Sequence, residues 1–264
     1  MSKTFKGQLK TCEAKMLTKV KVLLQGFPGK TNRGLLGFCN ITLIKSTKLM
    51  LFDTGHFSDR QLLISALEQE RIHPENIEIV VLSHLHYDHC INVELFKKAA
   101  VVVSKKELEY ALSDKPEKAG DLYVSKCTAE LLKNRDMIEA EENLKLSENV
   151  HVIETPGHTP GGISLLVDEG KKTVITGDAV KNAWEFKNNI SETFYGEKSD
   201  VIDSINKIKT LADIVIPGHD RLFSYDKSSG ELSLSNDLNL QVYARLHPHI
   251  DHWTVFSLLC GKVS

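Results

Sequence analysis

The sequence predicts an α/β fold in which two sheets are sandwiched between helices. Strand-like and helix-like runs alternate through the first half of the chain, a second strand-rich block begins near residue 150, and both halves share a layout of strands followed by a helix. That layout builds layers, with helices covering sheets that bury their other face on each other. At 264 residues the chain is read as one domain, 1–264, with a sizeable core.

The first block opens with "KVLLQG" (21–26), "GFCNITLIKS" (37–46) and "KLMLFDTG" (48–55), read as strands because apolar and β-branched residues dominate and glycines bound them. "SDRQLLISALEQERI" (58–72) carries apolar residues at 62, 63, 66 and 67 behind a candidate N-cap, Ser58, and is read as an amphipathic helix. "IEIVVLSH" is a buried strand, "NVELFKKA" a helix start and "AVVVS" another short strand. Residues 105–145 are charged and helical in pattern, broken around "SDKPEKAGD", and could form a lid or wall. The second block supplies "VHVIETPG" (150–157), "GISLLVDEG" (162–170) and "KTVITGD" (172–178) as strands, then the helix "KSDVIDSINKIKTL" and the strand "ADIVIPGHD".

A net charge of −2 gives no electrostatic footprint for nucleic acid. No apolar run reaches the roughly 18–20 residues of a membrane span. The lysine-rich start "MSKTFKGQLKTCEAKM" lacks an apolar core and is not read as a signal peptide. Cys12, Cys39, Cys90, Cys127 and Cys260 are scattered without a C-x-x-C pair, which fits reduced thiols in a cytoplasmic protein. Cys90 is read as a small packing residue.

Directly after the apolar run "IEIVVL", the stretch "LSHLHYDHC" packs His84, His86, Asp88 and His89 into six positions. Imidazoles and a carboxylate are costly to bury without partners, and together they are donors that suit zinc, manganese or iron(II). A tight turn would let His84 and His86 converge on one ion while Asp88 and His89 face a second. Residues two apart at 84, 86 and 88 share one side of an extended segment. One cluster cannot fill two coordination shells. The missing donors are sought at other strand ends, where His158 in "TPGHTPGG", Asp178 in "VITGDAV" and His219 in "VIPGHD" each follow an apolar run and stand beside glycine. "HPHIDH" (His247, His249, His252) fits no justified site and is read as surface; His56, His73 and His151 carry no functional reading.

"HLHYDH", "GHTPGG", "TGD" and "PGHD" in this order, with "DTG" upstream at 53–55, resemble the metallo-β-lactamase-fold hydrolase superfamily over residues 20 to about 222. The resemblance implies a four-layer αββα sandwich of two mixed β-sheets with the metals at one edge. It implies two divalent ions, zinc first, with iron or manganese as alternatives. His84, His86 and His158 would bind the first ion, Asp88, His89 and His219 the second, and Asp178 would bridge them. Asp53 would hydrogen-bond a ligand histidine and fix its tautomer. The expected chemistry is attack of a metal-bridging hydroxide on a carboxylic ester, thioester or lactone, with Asp88 shuttling the proton to the leaving group.

Within the superfamily the pattern is similar to single-domain N-acyl homoserine lactonases, although Lys181 stands where many of them place a tyrosine. A phosphodiesterase or RNase Z-like nuclease and a mononuclear iron persulfide dioxygenase-like enzyme are the alternatives. Flavodiiron proteins usually carry glutamate where His86 stands. Glyoxalase II enzymes carry a C-terminal helical domain, for which the 45 residues after His219 are too few. The expected partner is a small-molecule substrate, with no nucleic acid and no membrane. Its apolar part would meet a wall from the loop around Phe27 and from Trp184, Phe186, Phe194 and Tyr195, although Tyr195 is read first as a packing tyrosine.

Overall fold

The computed structural model describes residues 17–235, 238–245 and 253–260. In chain order the first half forms β1 (Lys19–Leu24), a small hairpin of β2 (Lys30–Thr31) and β3 (Gly34–Leu35), β4 (Ile41–Lys45), β5 (Leu49–Phe52), α1 (Arg60–Gln69), β6 (Ile79–Val81), α2 (Tyr87–Cys90), β7 (Ala100–Val103), α3 (Lys105–Leu112), α4 (Lys115–Ala119), α5 (Lys126–Leu132) and β8 (Met137–Glu139). The second half forms β9 (Lys145–Ser147), β10 (Val150–Glu154), β11 (Ile163–Asp168), β12 (Lys172–Ile175), α6 (Ala183–Asn188), α7 (Lys198–Leu211), β13 (Ile214–Ile216), β14 (Phe223–Asp226) and β15 (Glu231–Leu234), followed by a ribbon of β16 (Leu238–Ala244) and β17 (Thr254–Cys260).

Two mixed sheets result, ordered β1-β4-β5-β6-β7-β8 and β15-β14-β13-β12-β11-β10-β9. Alternation along each strand decides the layers. Met50, Phe52, Ile79 and Val81 from the first sheet meet Val150, Val152, Leu165 and Ile175 from the second in one buried core. Leu51, Val80 and Val101 point the other way, under Leu63 and Leu67 of α1 and Ala129 and Leu132 of α5. Val174 and Val215 are covered by Phe186 of α6 and by Val201, Ile205 and Ile208 of α7. Four layers, αββα, are therefore present. Each of these side chains is worth about 1.5–3 kcal/mol when fully buried. Among the described residues, no helix is long and apolar enough to cross a membrane.

Three local expectations are corrected. Ser58 does not cap α1, whose N-cap position is Asp59: a 3₁₀ turn, Phe57–Asp59, comes first and is capped by His56, whose ring nitrogen accepts the Ser58 N–H while Asp59 accepts the His56 N–H in return. "NVELFKKA" makes only a 3₁₀ turn, Ile91–Leu95, after α2. The 105–145 stretch is three short helices and then β8, which extends the first sheet. His247, His249 and His252 lie outside the described residues.

Candidate metal centre

β5 and β6 run parallel, as do β12 and β13, and β10 points the same way as β12 across two antiparallel pairings. Every chemistry-bearing loop leaves the C-terminal end of one of these strands, so all of them meet at one edge of the sandwich. Asp53 follows β5, the cluster at 84–89 follows β6, His158 follows β10, Asp178 follows β12 and His219 follows β13. The extended register holds for His84 and His86 only. His86, at φ −71° and ψ 145°, caps α2, whose first turn swings Asp88 and His89 to a different direction.

Three sets of donors have their ligand atoms within 4.8 Å of one another: His84, His86 and His158; His84, His89 and Asp178; Asp88, His89 and His219. His86 Nδ1 lies 3.1 Å from His158 Nε2, and His89 Nε2 lies 3.2 Å from His219 Nε2. Asp178 stands between the groups. Its Oδ1 is 3.3 Å from His89 Nε2 and 3.2 Å from His219 Nε2, while its Oδ2 is 3.4 Å from His158 Nε2.

The outward nitrogens show what these inward atoms are. Carbonyl oxygens only accept, so His158 Nδ1 donates to Thr193 O at 2.8 Å and His219 Nδ1 donates to Phe38 O at 2.9 Å. His89 Nδ1 donates to Asp53 at 2.8 Å and His86 Nε2 donates to Asp121 at 3.0 Å. Ser83 gives its own proton to Asp53, which leaves its oxygen to accept from His84 Nδ1 at 2.9 Å. In their neutral forms the five imidazoles thus turn lone pairs toward two carboxylates. Burial pulls His84 and His158 well below the ordinary imidazole range, keeping both neutral. Burial pulls on His219 too, but Asp178 and Asp88 outweigh it and hold it above its ordinary value, a demand for positive charge at that point. His84 Nε2 and Asp178 Oδ1 are buried without a hydrogen-bond partner, each a penalty of about 1–3 kcal/mol. This donor set fits divalent transition-metal ions, which would satisfy all of these atoms together.

Glycine makes the approach possible. A Cβ on Gly218 would sit 2.1 Å from Asp178 Oδ1 and 2.8 Å from Gly177 O. Asn40 pins the same loop: its side-chain amide donates to Pro217 O and Asp220 O, both at 2.6 Å.

The 105–145 segment supplies residues that sequence reading missed. Residues 121–125 run beside the metal loop, with Tyr87 N donating to Tyr123 O at 2.9 Å and Ser125 N to Leu85 O at 2.8 Å. Asp121, fully buried, accepts from His86 and from the Tyr110 hydroxyl. Glu107, also fully buried, accepts Leu85 N at 2.9 Å and Gly161 N at 3.1 Å, tying the two ligand-bearing loops to α3. Asp121→Asn removes the acceptor that fixes His86. Metal affinity should fall about 10–100-fold, read by chelator competition, with the circular dichroism spectrum retained.

Beside the donors lies a cavity of about 150 Å³. Phe27, Pro28 and Leu35 form its apolar side and Tyr87 and Tyr123 present rings, so the Phe27 loop is where the sequence put it. The aromatic wall from 181–195 is not there. That segment contributes Lys181, Asn182, Glu185, Glu192 and Thr193 instead. Phe186 faces the core against Phe223 and Tyr225, and Trp184 and Phe194 lie at the surface. Tyr195 packs its ring 5.7 Å from that of His86 and 6.1 Å from that of His158. Cys90 is core-packed, as expected, and burial raises its thiol. Burial pushes the Cys39 thiol up to about 12, so it stays neutral beside His89.

The family model described as the metallo-beta-lactamase superfamily matches residues 34–219. A probable metallo-hydrolase of Methanocaldococcus jannaschii is 30% identical over 183 residues, covering 67% of this chain and 74% of that protein. An N-acyl homoserine lactonase of a Bacillus species is 29% identical over 182 residues, covering 63% of this chain and 68% of that one. Among solved structures, AidC, a dizinc quorum-quenching lactonase in complex with its product, superposes with a TM-score of 0.62 at 22% identity, covering 76% of this chain and 80% of that one. With the fold, the edge site and the family match in agreement, the chain belongs to the metallo-beta-lactamase superfamily.

Proposed function

We propose that the chain is a metal-dependent hydrolase of a carboxylic ester, thioester or lactone that holds two divalent ions, zinc first. The observation that carries this reading is the position of Asp178, whose two oxygens face different histidine groups. His84, His86 and His158 would hold one ion, Asp88, His89 and His219 the other, and Asp178 would bridge. Ions held there would supply a nucleophile at neutral pH and polarise a carbonyl. Asp88, at the cavity wall and 3.6 Å from His219 Nε2, is placed to take a proton and pass it to the leaving group. Asp53 and Asp121 hold His89 and His86 in the tautomers that leave their lone pairs inward. Phe27, Pro28 and Leu35 would exclude water along one side of the bound substrate.

The lactonases among the relatives support an ester-like substrate. The cavity supports it too, because apart from the candidate ligands its charges are balanced, Lys30 and Lys181 against Glu185 and Glu192. A polyanion finds no basic track. Ester, thioester, lactone and phosphodiester substrates should be tested on protein of measured metal content. Turnover of carbonyl substrates is expected. Strong phosphodiester turnover that falls steeply with salt would favour the nuclease reading instead.

A further inference from the structure

The ribbon of β16 and β17 stands apart from both large sheets. It leaves the body at Leu238, which is buried, and by its outer half both faces are open. Val242 pairs with Phe256 on one face and Tyr243 with Val255 on the other, and all four are 46–55% exposed. Trp253 is 52% exposed at the outer end, where the Arg245 guanidinium lies 4.9 Å from its ring centroid. Among the described residues neither outer edge of the ribbon is paired. A two-stranded ribbon open on both faces and both edges is marginal at best in water, so something must cover it.

We infer that this ribbon is a self-association arm and that its partner is the ribbon of a second copy of the chain. On the Tyr243 face, which Val255 and Trp253 share, two half-exposed rings and a valine leave on the order of 300 Å² of apolar surface open. That is somewhat over a third of the roughly 800 Å² each partner contributes to a stable interface, and it would form the apolar centre of one. Gln241 and Ser257, exposed on the Tyr243 face, would supply a polar, uncharged margin. Residues 238–245 and 253–260 contain a single charged side chain, Arg245, held over Trp253. The surface therefore lacks the charges that select a nucleic acid, an acidic or basic peptide, or an anionic membrane. Two seven-residue strands with free edges are complementary to their own copy about a two-fold axis, the symmetry of an isologous dimer.

Sedimentation of the full chain from micromolar to sub-millimolar concentration tests this directly. A concentration-dependent shift to twice the chain mass is expected, and Val255→Glu should raise the dimer dissociation constant at least about tenfold while metal content and circular dichroism stay unchanged. In a Trp184→Phe background, Trp253 is the sole tryptophan, and its emission should move to shorter wavelength as protein concentration rises. A single-chain mass throughout, a dimer that Val255→Glu leaves intact, or a Trp253 shift seen only on adding phosphatidylcholine vesicles would each overturn the inference.

Discussion

Asp178→Ala should abolish metal retention and catalysis together. No other carboxylate in the cluster presents one oxygen to His89 and His219 and the other to His158, so its loss removes a donor from both proposed coordination shells. Activity is expected to fall on the order of 10³-fold or more, about 4 kcal/mol of lost transition-state stabilisation. The fold should persist, because the layers are held by apolar side chains such as Phe52, Val81, Leu165 and Ile175 rather than by the centre. Metal analysis beside circular dichroism separates the two effects. A variant that keeps both ions would mean that Asp178 does not have this role, and one that unfolds outright would mean that the ions are structural.

Gly218→Ala should have the second-largest effect, although Gly218 offers no donor side chain. Its added methyl would fall 2.1 Å from Asp178 Oδ1 and 2.8 Å from the Gly177 carbonyl, and that carbonyl cannot rotate away as a side chain could. The loop cannot simply shift either. Gly218 N donates to Val180 O at 2.9 Å, and Gly218 O accepts from Asn40 N at 2.6 Å. Overpacking of this kind costs about 1–3 kcal/mol, and the displacement falls on Asp178. Metal affinity should drop about 10–100-fold, measured by chelator competition, with thermal stability lowered modestly. Unchanged affinity would show that Asp178 tolerates displacement and does not need its fixed position.

How much of this was readable in advance follows from what each residue's job requires. The candidate ligands were legible because histidine and aspartate rarely crowd together beside apolar runs unless something charged is shared. Asp53 was legible through its neighbourhood with "DTG", and it meets His89 as the resemblance implied. Asp121 and Glu107 were not. Each sits in a charged helical stretch whose composition reads as a solvated surface, and each reaches its partner across a long loop, 35 residues to His86 and 54 to Gly161. α7 spans the residues its pattern marked, because a 14-residue amphipathic repeat carries its own signal. The six-residue α6 does not, and for that reason the aromatics around it were misdirected. Their density shows that a surface needs covering and is silent on which surface, and Phe186 turned to the core while Trp184 turned to solvent.

The most direct test of the two-ion reading is to locate and count the ions in metal-replete protein, by elemental analysis together with anomalous diffraction. Two ions per chain are expected, with Asp178 in contact with both and with Asp88, His89 and His219 on the second. One fully coordinated ion on His84, His86 and His158, with Asp88 and His219 unligated, would contradict it and favour a mononuclear dioxygenase-like enzyme.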